Sequence, residues 1–330
     1  MSYPGDGWFE VRELPGIRVH VLSTGQFKTI SAKLAVRLPL HPPAVTANAL
    51  VPFVLRRGTR RLPTSQAITR ALESMYGARV HVEVGKVGEV QLVEVRGEAV
   101  ADRFIPGGVA GSGQLESLLR LLLEVLYDPA LQGDGFVPTY VHQERELLRR
   151  RIEGIINNKP QYAVYRLYEE MFRGEPFALH RLGRREDLEA IEPGSLFRHY
   201  LEQLVPRRAE LAVVGPVAAD EVAGLVQRLS GGLAFVPRAE LADPPPCQVD
   251  REPEPPPSGW REVSETQDVR QEVLALGFRT RVRFRSAQYP GLMLYNGLLG
   301  GFPHSRLFVH VRERHSLAYF AYSRLEPTKG

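Results

Sequence analysis

The stretch Thr46–Thr59, which reads T-A-N-A-L-V-P-F-V-L-R-R-G-T, decides how the rest of the chain is interpreted. It follows an alternating apolar and polar segment and predicts a short helix after a strand, with Thr46 as the N-cap and Gly58 closing the helix. Pro52 falls inside this helix, where a proline removes a hydrogen bond and clashes with the preceding turn at a cost of about 3 kcal/mol. We therefore expect the helix to be kinked or shortened at Pro52.

The composition is that of a folded protein with more than one domain. The chain has 330 residues, of which 43% are hydrophobic, and this length favours two domains over one. Its single cysteine, Cys247, excludes a disulfide framework and any multi-cysteine metal site. The N-terminus has neither a basic region nor an apolar run, so no signal peptide is predicted and the expected location is the cytoplasm.

The charge pattern argues against nucleic-acid and membrane partners. The net charge is +4, but the arginines are interleaved with glutamates rather than gathered in one stripe. The densest basic run, Arg149–Arg151, follows Glu144 and Glu146 and predicts a solvated helix face. The most apolar run, residues 118–126, contains two charged side chains, which excludes a membrane span.

Periodic segments predict an α+β fold. Period-two patterns predict strands over residues 8–14, 17–23, 28–38, 79–84, 89–95 and 210–214. Helical patterns predict helices over residues 46–57, 64–76, 115–126, 137–156, 161–173, 186–191, 193–204 and 218–229. Because these strands bracket several helices with few strict βαβ alternations, we expect a mixed sheet packed with helices rather than a doubly wound sheet.

Two runs of three prolines, at 244–246 and 255–257, predict an extended and semi-rigid linker. We therefore divide the chain into a first domain over residues 7–237, a proline-rich linker over 238–258 and a partial second domain over 259–330.

The part beyond the linker repeats the order of elements at the start of the chain. The predicted elements are a strand over 272–280, helices over 289–299 and 305–314, and a strand over 317–324. They match residues 28–84 in kind and order, which indicates two copies of one α+β unit. The second copy stops at Gly330, after a fraction of the first copy's length. We expect the missing elements to matter for stability, because an incomplete sheet leaves an unpaired edge.

The end of the opening helix, Val54-Leu55-Arg56-Arg57-Gly58-Thr59, resembles a landmark of the insulinase/pitrilysin superfamily of zinc metallopeptidases. In that superfamily the helix carries H-x-x-E-H, which provides two zinc ligands and the catalytic glutamate. Counting back from Gly58, those five positions are occupied here by Ala49, Leu50, Val51, Pro52 and Phe53. None of these side chains binds zinc or activates a water molecule.

A second frame leads to the same conclusion. The superfamily's long helix reads approximately E-R-E-V-V-L-E-E-I, and its last glutamate is the third zinc ligand. Residues Glu144–Ile152 match this frame without gaps, with Glu144 at the earlier acidic position and Arg151 at the ligand position. A guanidinium has donors but no lone pair for a metal. The resemblance therefore implies a metallopeptidase homologue that is inactive on its own, with no catalytic residues, no metal site and no cofactor.

No other segment supplies the missing metal ligands. His310 and His315 lie on one predicted helix, but they are five positions apart, which places them about 140° apart around an α-helix. They are not expected to converge on one ion, and the remaining histidines show no ligand spacing.

A candidate substrate-binding pair lies in the second domain. In the superfamily a motif like L-R-E-x-x-G-L-A-Y supplies an arginine and a tyrosine that hold substrate near the metal. Residues Val311–Tyr319 follow this frame, with Arg312 and Tyr319 at the matching positions and Ser316 in place of the usual glycine. Spacing alone favours a surface ion pair for Arg312 and a core position for Tyr319. The family frame favours substrate binding.

The resemblance covers nearly the whole chain and includes two later landmarks, Gly183–Leu188 and Leu211–Gly215. Within the superfamily the chain is most similar to a bacterial branch associated with 5-aminopentanol modification of elongation factor P. That branch comes as a pair, one member with H-x-x-E-H and one without. The resemblance implies a heterodimer in which this chain binds a peptide or unfolded segment beside a zinc-bearing paralogue. A structural or assembly subunit, or a protein-binding module with no part in peptide cleavage, remains the alternative.

Overall fold

The computed structural model describes residues 8–105, 113–236, 238–243, 261–280 and 282–326. The chain divides into two compact units, Met1–Pro245 and Pro246–Gly330. The strands of the first unit are β1 (Glu10–Leu14), β2 (Ile17–Ser23), β3 (Thr29–Pro39), β4 (Arg79–Val87), β5 (Val90–Val100), β6 (Leu131–Gln132), β7 (Gly135–Phe136) and β8 (Ala209–Gly215).

The first unit also contains eight helices among its described residues. They are α1 (Pro42–Leu55), α2 (Ser65–Ser74), α3 (Gln114–Tyr127), α4 (Pro138–Glu153), α5 (Lys159–Met171), α6 (Arg185–Leu188), α7 (Pro193–His199) and α8 (Ala219–Ser230). Short 3₁₀ turns cover Asp102–Phe104, Gly154–Asn157 and Pro176–Ala178, and a π-helical turn covers Tyr200–Leu204.

A six-stranded mixed sheet in the order β1-β2-β8-β3-β5-β4 forms the core of the first unit. The pair β2 and β8 is parallel, whereas every other pair in this sheet is antiparallel. Leu34 at the centre of β3 lies opposite Val95 on one side and Leu211 on the other, and it is fully buried. The predicted α+β class with a mixed sheet is therefore confirmed.

Helix α1 packs against β3, β4 and β5 on one side and against α4 on the other. It begins at Pro42, four residues before the predicted N-cap Thr46, with His41 as its N-cap. A proline suits the first helical turn because its missing N–H has no intrahelical partner there. The helix continues through Pro52 to Leu55, so the expectation that Pro52 shortens it is wrong.

A buried polar network holds α1 in place. The Asn48 amide donates to Gln91 Oε1 on β5 at 3.0 Å, and Asn48 Oδ1 pairs with His199 Nε2 at 2.7 Å. The Gln91 amide in turn donates to the carbonyls of Val45, at 3.0 Å, and Arg181, at 2.7 Å. Satisfied networks of this kind favour one packing arrangement, because a buried amide without partners is costly.

The second unit has helices in the predicted places but no strand among its described residues. Helix α9 spans Tyr289–Asn296, and π-helical turns cover Gly297–Gly301 and Phe308–Arg314. The predicted strands over 272–280 and 317–324 are wrong, because these residues form no strand in the structure. Their apolar side chains are exposed because no neighbouring strand covers them, with Leu274 83% exposed. Most of the predicted linker, with its proline runs and Cys247, lies outside the described residues.

The loop that leads into α6 approaches α1 closely at Gly183. Gly183 has a φ of +76°, and a Cβ built there would lie 2.0 Å from Thr46 Oγ1. Thr46 Oγ1 accepts from the Arg184 backbone N–H at 3.0 Å and donates to Asp187 Oδ2 at 2.7 Å. Thr46 therefore bonds the loop before α6 to α1 from a position inside α1, instead of acting as the N-cap of that helix.

Replacing Gly183 by alanine should destabilise the first unit more than the same change at Gly174. Gly174 also has positive φ, +85°, but a Cβ there meets nothing within 4 Å. Alanine at Gly174 should cost about 1–2 kcal/mol for the left-handed conformation. Alanine at Gly183 should cost about 1–3 kcal/mol more, because the Cβ overlaps Thr46. Urea unfolding of the two variants measures the difference, and equal costs would contradict the close approach.

Stability should also depend on pH through His180. Burial, with smaller contributions from the nearby charges of Arg181 and Lys86, lowers the pKa of His180 from an ordinary value of 6.5 to about 4. The Leu182 N–H donates to His180 Nδ1 at 3.2 Å, which requires the neutral ring. The unfolded chain therefore takes up a proton near pH 6.5, and the folded chain takes it up only near pH 4.

The free energy of unfolding contributed by His180 is complete above pH 6.5 and falls as the pH drops towards 4. His180→Gln should make the urea midpoint less sensitive to a change from about pH 7 to about pH 5. His81→Gln, at an exposed position of β4, is the matched control and should leave the wild-type dependence intact. An unchanged pH dependence in His180→Gln would show that this ring does not contribute.

Candidate functional site

The positions that hold zinc in the catalytic superfamily members are buried and apolar on α1. Ala49 and Leu50 are fully buried, Val51 is 1% exposed and Phe53 is 6% exposed. Because the side chains of α1 are buried on nearly every face, the helix is almost uniformly apolar and lies between the sheet and α4. This part of the structure is a packed core rather than a metal centre.

Phe53 and Arg151 contact each other across the interface between α1 and α4. The Arg151 guanidinium carbon lies 4.3 Å from the centroid of the Phe53 ring, and that of Arg56 lies 5.6 Å from it. Both distances are within the range of cation–π attraction. The two positions that would share a metal ion in a catalytic member are thus occupied by an aromatic ring and a cation that attract each other directly.

The carboxylate of Glu144 lies next to this contact and is fully buried. Arg57 Nε donates to Glu144 Oε1 at 2.6 Å, and Arg56 Nη2 lies 3.3 Å from the same oxygen. A buried carboxylate without a partner is strongly destabilising, so these ion pairs stabilise the approach of α1 to α4. We call Arg56, Arg57 and Arg151, with Glu144 and Phe53 between them, the arginine cluster.

Ion pairing within the arginine cluster is incomplete. Glu144 Oε2 and Arg56 Nε are buried and have no hydrogen-bond partner among the described residues. Burial lowers the pKa of Arg151, and the positive charges of Arg56 and Arg57 lower it as well, whereas Glu144 raises it. Arg151 remains charged at neutral pH because guanidinium is a very strong base. The cluster therefore carries three cations and one carboxylate.

The glycine of the landmark has a packing role. A Cβ at Gly58 would lie 2.3 Å from the Pro63 carbonyl oxygen and 3.2 Å from Ala130 Cβ. The next residue, Thr59, is fully buried, and its Oγ1 accepts from the Leu62 N–H at 3.0 Å. Gly58 and Thr59 thus turn the chain tightly after α1 and direct Arg56 and Arg57 towards α4.

The described part of the chain contains no group of three or more His, Cys, Asp or Glu side chains that could hold a metal ion. The segment with His310 and His315 is a π-helical turn, in which the His315 N–H donates to the His310 carbonyl at 3.2 Å. The angle of about 140° that an α-helix would place between His310 and His315 therefore does not apply to this segment. The two histidines still belong to no metal-binding group in the described part of the chain.

The structure brings Arg312 and Tyr319 together in the second unit. The Arg312 guanidinium carbon lies 5.4 Å from the Tyr319 ring and 4.7 Å from the Phe308 ring. Arg312 makes no ion pair with another described residue, and Tyr319 is 83% exposed, so neither side chain has the structural role that spacing alone favours. Both side chains are accessible to a ligand.

The roles of Arg56 and Arg57 as partners of Glu144 were not predicted from the sequence, and neither was the contact between Phe53 and Arg151. One signal was available for the second. Phe53 and Arg151 occupy two positions that meet at the metal in the superfamily, and an aromatic residue and an arginine form a known attractive pair. No signal identified the ion pairs, because residues 56 and 144 are far apart in sequence.

Among the described residues, no helix is long and apolar enough to cross a membrane.

Comparisons with known proteins agree with this picture. Residues 190–330 match the family model described as the peptidase M16 inactive domain. The chain is 34% identical over 315 residues to the probable inactive metalloprotease YmfF of Bacillus subtilis (strain 168), covering 96% of this chain and 71% of that protein. It is 23% identical to the antilisterial bacteriocin subtilosin biosynthesis protein AlbE of the same organism, covering 94% of this chain and 73% of AlbE.

Solved structures show the same fold. A conserved protein from Enterococcus faecalis V583 superposes with a TM-score of 0.79 at 24% identity, covering 98% of this chain and 73% of that chain. A peptidase M16 inactive domain from Pseudomonas fluorescens superposes with a TM-score of 0.66 at 15% identity, covering 97% and 71%.

These similarities confirm the predicted superfamily and the prediction that the chain is not itself a working metallopeptidase. The assignment to the branch associated with elongation factor P modification stays a prediction. The chain belongs to the peptidase M16 family, as a homologue of its inactive metalloproteases.

Proposed function

We propose that this protein is the non-catalytic subunit of an insulinase-like zinc peptidase pair and that it contributes substrate-binding side chains to a zinc-bearing partner. The observation that carries the proposal is the contact of Phe53 with Arg151 at 4.3 Å. Because two ligand positions are filled by a packed ring and a cation, any zinc chemistry must come from another chain.

The exposed pair of Arg312 and Tyr319 supports a substrate-binding role. Arginine offers a forked set of donors for a carbonyl or an oxyanion, and tyrosine offers a hydroxyl on a rigid ring. The guanidinium lies against the tyrosine ring at 5.4 Å, so the two side chains form one polar surface on the second unit. A peptide or an unfolded protein segment is the ligand class that this surface suits.

The partner in this proposal is a paralogue that carries H-x-x-E-H, and the assembly is a heterodimer in the cytoplasm. Inactive members of the family typically pair with active ones, which supports this arrangement. We further propose that the pair belongs to the branch associated with 5-aminopentanol modification of elongation factor P. The family domains in this proposal span residues 7–237 and 259–330, and the separation of two compact units after Pro245 supports the division.

A second candidate function is that of a structural or assembly subunit, or of a protein-binding module, that binds no peptide for cleavage. It is favoured by the exposure of large apolar side chains in the second unit. Among these are Leu274, 83% exposed, Phe278, 67% exposed, and Leu317, 77% exposed.

The purified chain should contain no stoichiometric zinc and should cleave no peptide. The reason is that the three ligand positions hold Ala49, Phe53 and Arg151, none of which supplies a lone pair to zinc. Elemental analysis and a peptide-cleavage assay, with a zinc-bearing H-x-x-E-H homologue prepared in parallel, provide the measurement. About one zinc per chain, or cleavage that a chelator abolishes, would contradict the proposal.

Co-expression with the zinc-bearing paralogue should yield an active complex that depends on Arg312. Arg312→Ala should lower kcat/KM by about 10- to 100-fold, the range expected for loss of a charged hydrogen bond to substrate. Tyr319→Phe, which removes only the hydroxyl, should lower it less. Arg314→Ala, at an exposed position of the same helical turn, is the control.

The two candidate functions differ in their response to this series. An intact and fully active complex with Arg312→Ala would contradict the substrate-binding role and favour the role of an assembly subunit. Failure of the two chains to copurify would instead contradict the heterodimer.

A further inference from the structure

The arginine cluster on the first unit has no part in the proposed substrate pair and has an unbalanced charge. Its three guanidinium groups share the single carboxylate of Glu144, and both ion pairs use the same oxygen, Oε1. Arg151 makes no ion pair with any described residue, and its nearest aromatic neighbour is the Phe53 ring at 4.3 Å. The cluster therefore has a net excess of two positive charges.

Several other arginines of the first unit pair with carboxylates, in contrast to Arg151. Arg61 binds Glu124 at 2.8 Å, and Arg60 binds Asp128 at 3.1 Å. Arg150, the neighbour of Arg151 on α4, binds Glu146 at 3.1 Å. Each of these arginines forms an ion pair with a carboxylate, whereas Arg151 contacts the aromatic ring of Phe53.

The cluster is also accessible to solvent, and neighbouring side chains contact each of its arginines. Arg151 is exposed, and the side chains of Arg56 and Arg57 are 39% and 24% exposed. Glu144 pairs with Arg56 and Arg57, and the Phe53 ring contacts Arg151, so each guanidinium group has a neighbour that holds it while part of the side chain stays exposed. Preorganised guanidinium groups lose less entropy when they bind an anion, and their planar fork matches a carboxylate.

The like charges repel one another in the absence of a ligand. Burial and the neighbouring charges of Arg56 and Arg57 lower the pKa of Arg151, so its charged form is less favoured here than in water. An anion placed over the cluster would relieve this repulsion and gain ion pairs with Arg56 and Arg151.

We propose that the arginine cluster binds a side-chain or terminal carboxylate of an acidic peptide segment. A group of guanidiniums thus occupies the position of the metal site. This group binds the negative charge of a peptide instead of cleaving the peptide. A peptide is favoured over a nucleic acid because Arg149 and Arg150, the neighbours of Arg151 on α4, both pair with Glu146 and do not extend the cluster along the helix. Nucleic-acid binding needs a row of free cations along the phosphate backbone.

The test uses the full chain without a partner and a fluorescein-labelled peptide of alternating Glu and Ser. A matched peptide with Gln in place of Glu serves as the ligand control, and fluorescence anisotropy is recorded at about 50 and about 300 mM salt. The Glu peptide should bind more tightly than the Gln peptide, and the difference should shrink at the higher salt. Equal binding of the two peptides would overturn the proposal.

Variants then locate the site. Arg151→Gln should weaken binding of the Glu peptide by about tenfold, the size expected for one charge-assisted contact. Arg151→Lys, which keeps the charge but not the planar group, should recover part of that loss. Arg150→Gln removes the same charge from the same helix. It should have little effect on binding, because Arg150 is paired with Glu146.

Two outcomes would contradict the assignment. Equal losses in Arg150→Gln and Arg151→Gln would indicate diffuse attraction to the helix rather than a site. Tighter, Arg151-dependent binding of a single-stranded oligonucleotide would indicate a nucleic acid instead. Because the measurement needs neither the zinc-bearing partner nor Arg312, its failure is distinguishable from failure of the proposed function.

Discussion

The buried carboxylate of Glu144 is the constraint on which the arrangement of α1 and α4 depends. It is fully inaccessible to solvent, and Arg57 donates to it at 2.6 Å from the end of α1. Removing a charge from water is costly unless a partner of opposite charge accompanies it, so α4 can bury Glu144 only where α1 delivers an arginine. This pairing places Phe53 against Arg151 and sets the geometry of the whole cluster.

The interface between α1 and α4 is maintained without a metal ion. In a catalytic member of the family, zinc would join the two helices through side chains with lone pairs. Here an aromatic ring meets a guanidinium at 4.3 Å, and an ion pair replaces coordination. The helices keep their contact, but the chemistry changes from activation of water to attraction of anions. The two proposals therefore rest on surfaces, namely the arginine cluster in one unit and the pair of Arg312 and Tyr319 in the other.

Several sequence expectations failed for reasons that lie in packing. Thr46 has the character of an N-cap, but Pro42 and Pro43 start the helix earlier, and the hydroxyl donates to Asp187 on α6 instead. Pro52 does not end α1, because tertiary burial on both sides offsets the lost hydrogen bond. Residues 272–280 and 317–324 have strand-like patterns, yet a strand needs a neighbour, and none is present among the described residues.

The sequence by itself determined the α+β class, the positions of most strands and helices in the first unit, and the loss of zinc ligands. These follow from local periodicity and from residue types at counted positions, such as Ala49, Phe53 and Arg151. Only the tertiary structure decided that Arg56 and Arg57 share Glu144 and that Arg151 lies on Phe53. The physical reason is that a buried charge selects its partner by proximity in the folded chain, and 88 positions separate Arg56 from Glu144 along the sequence.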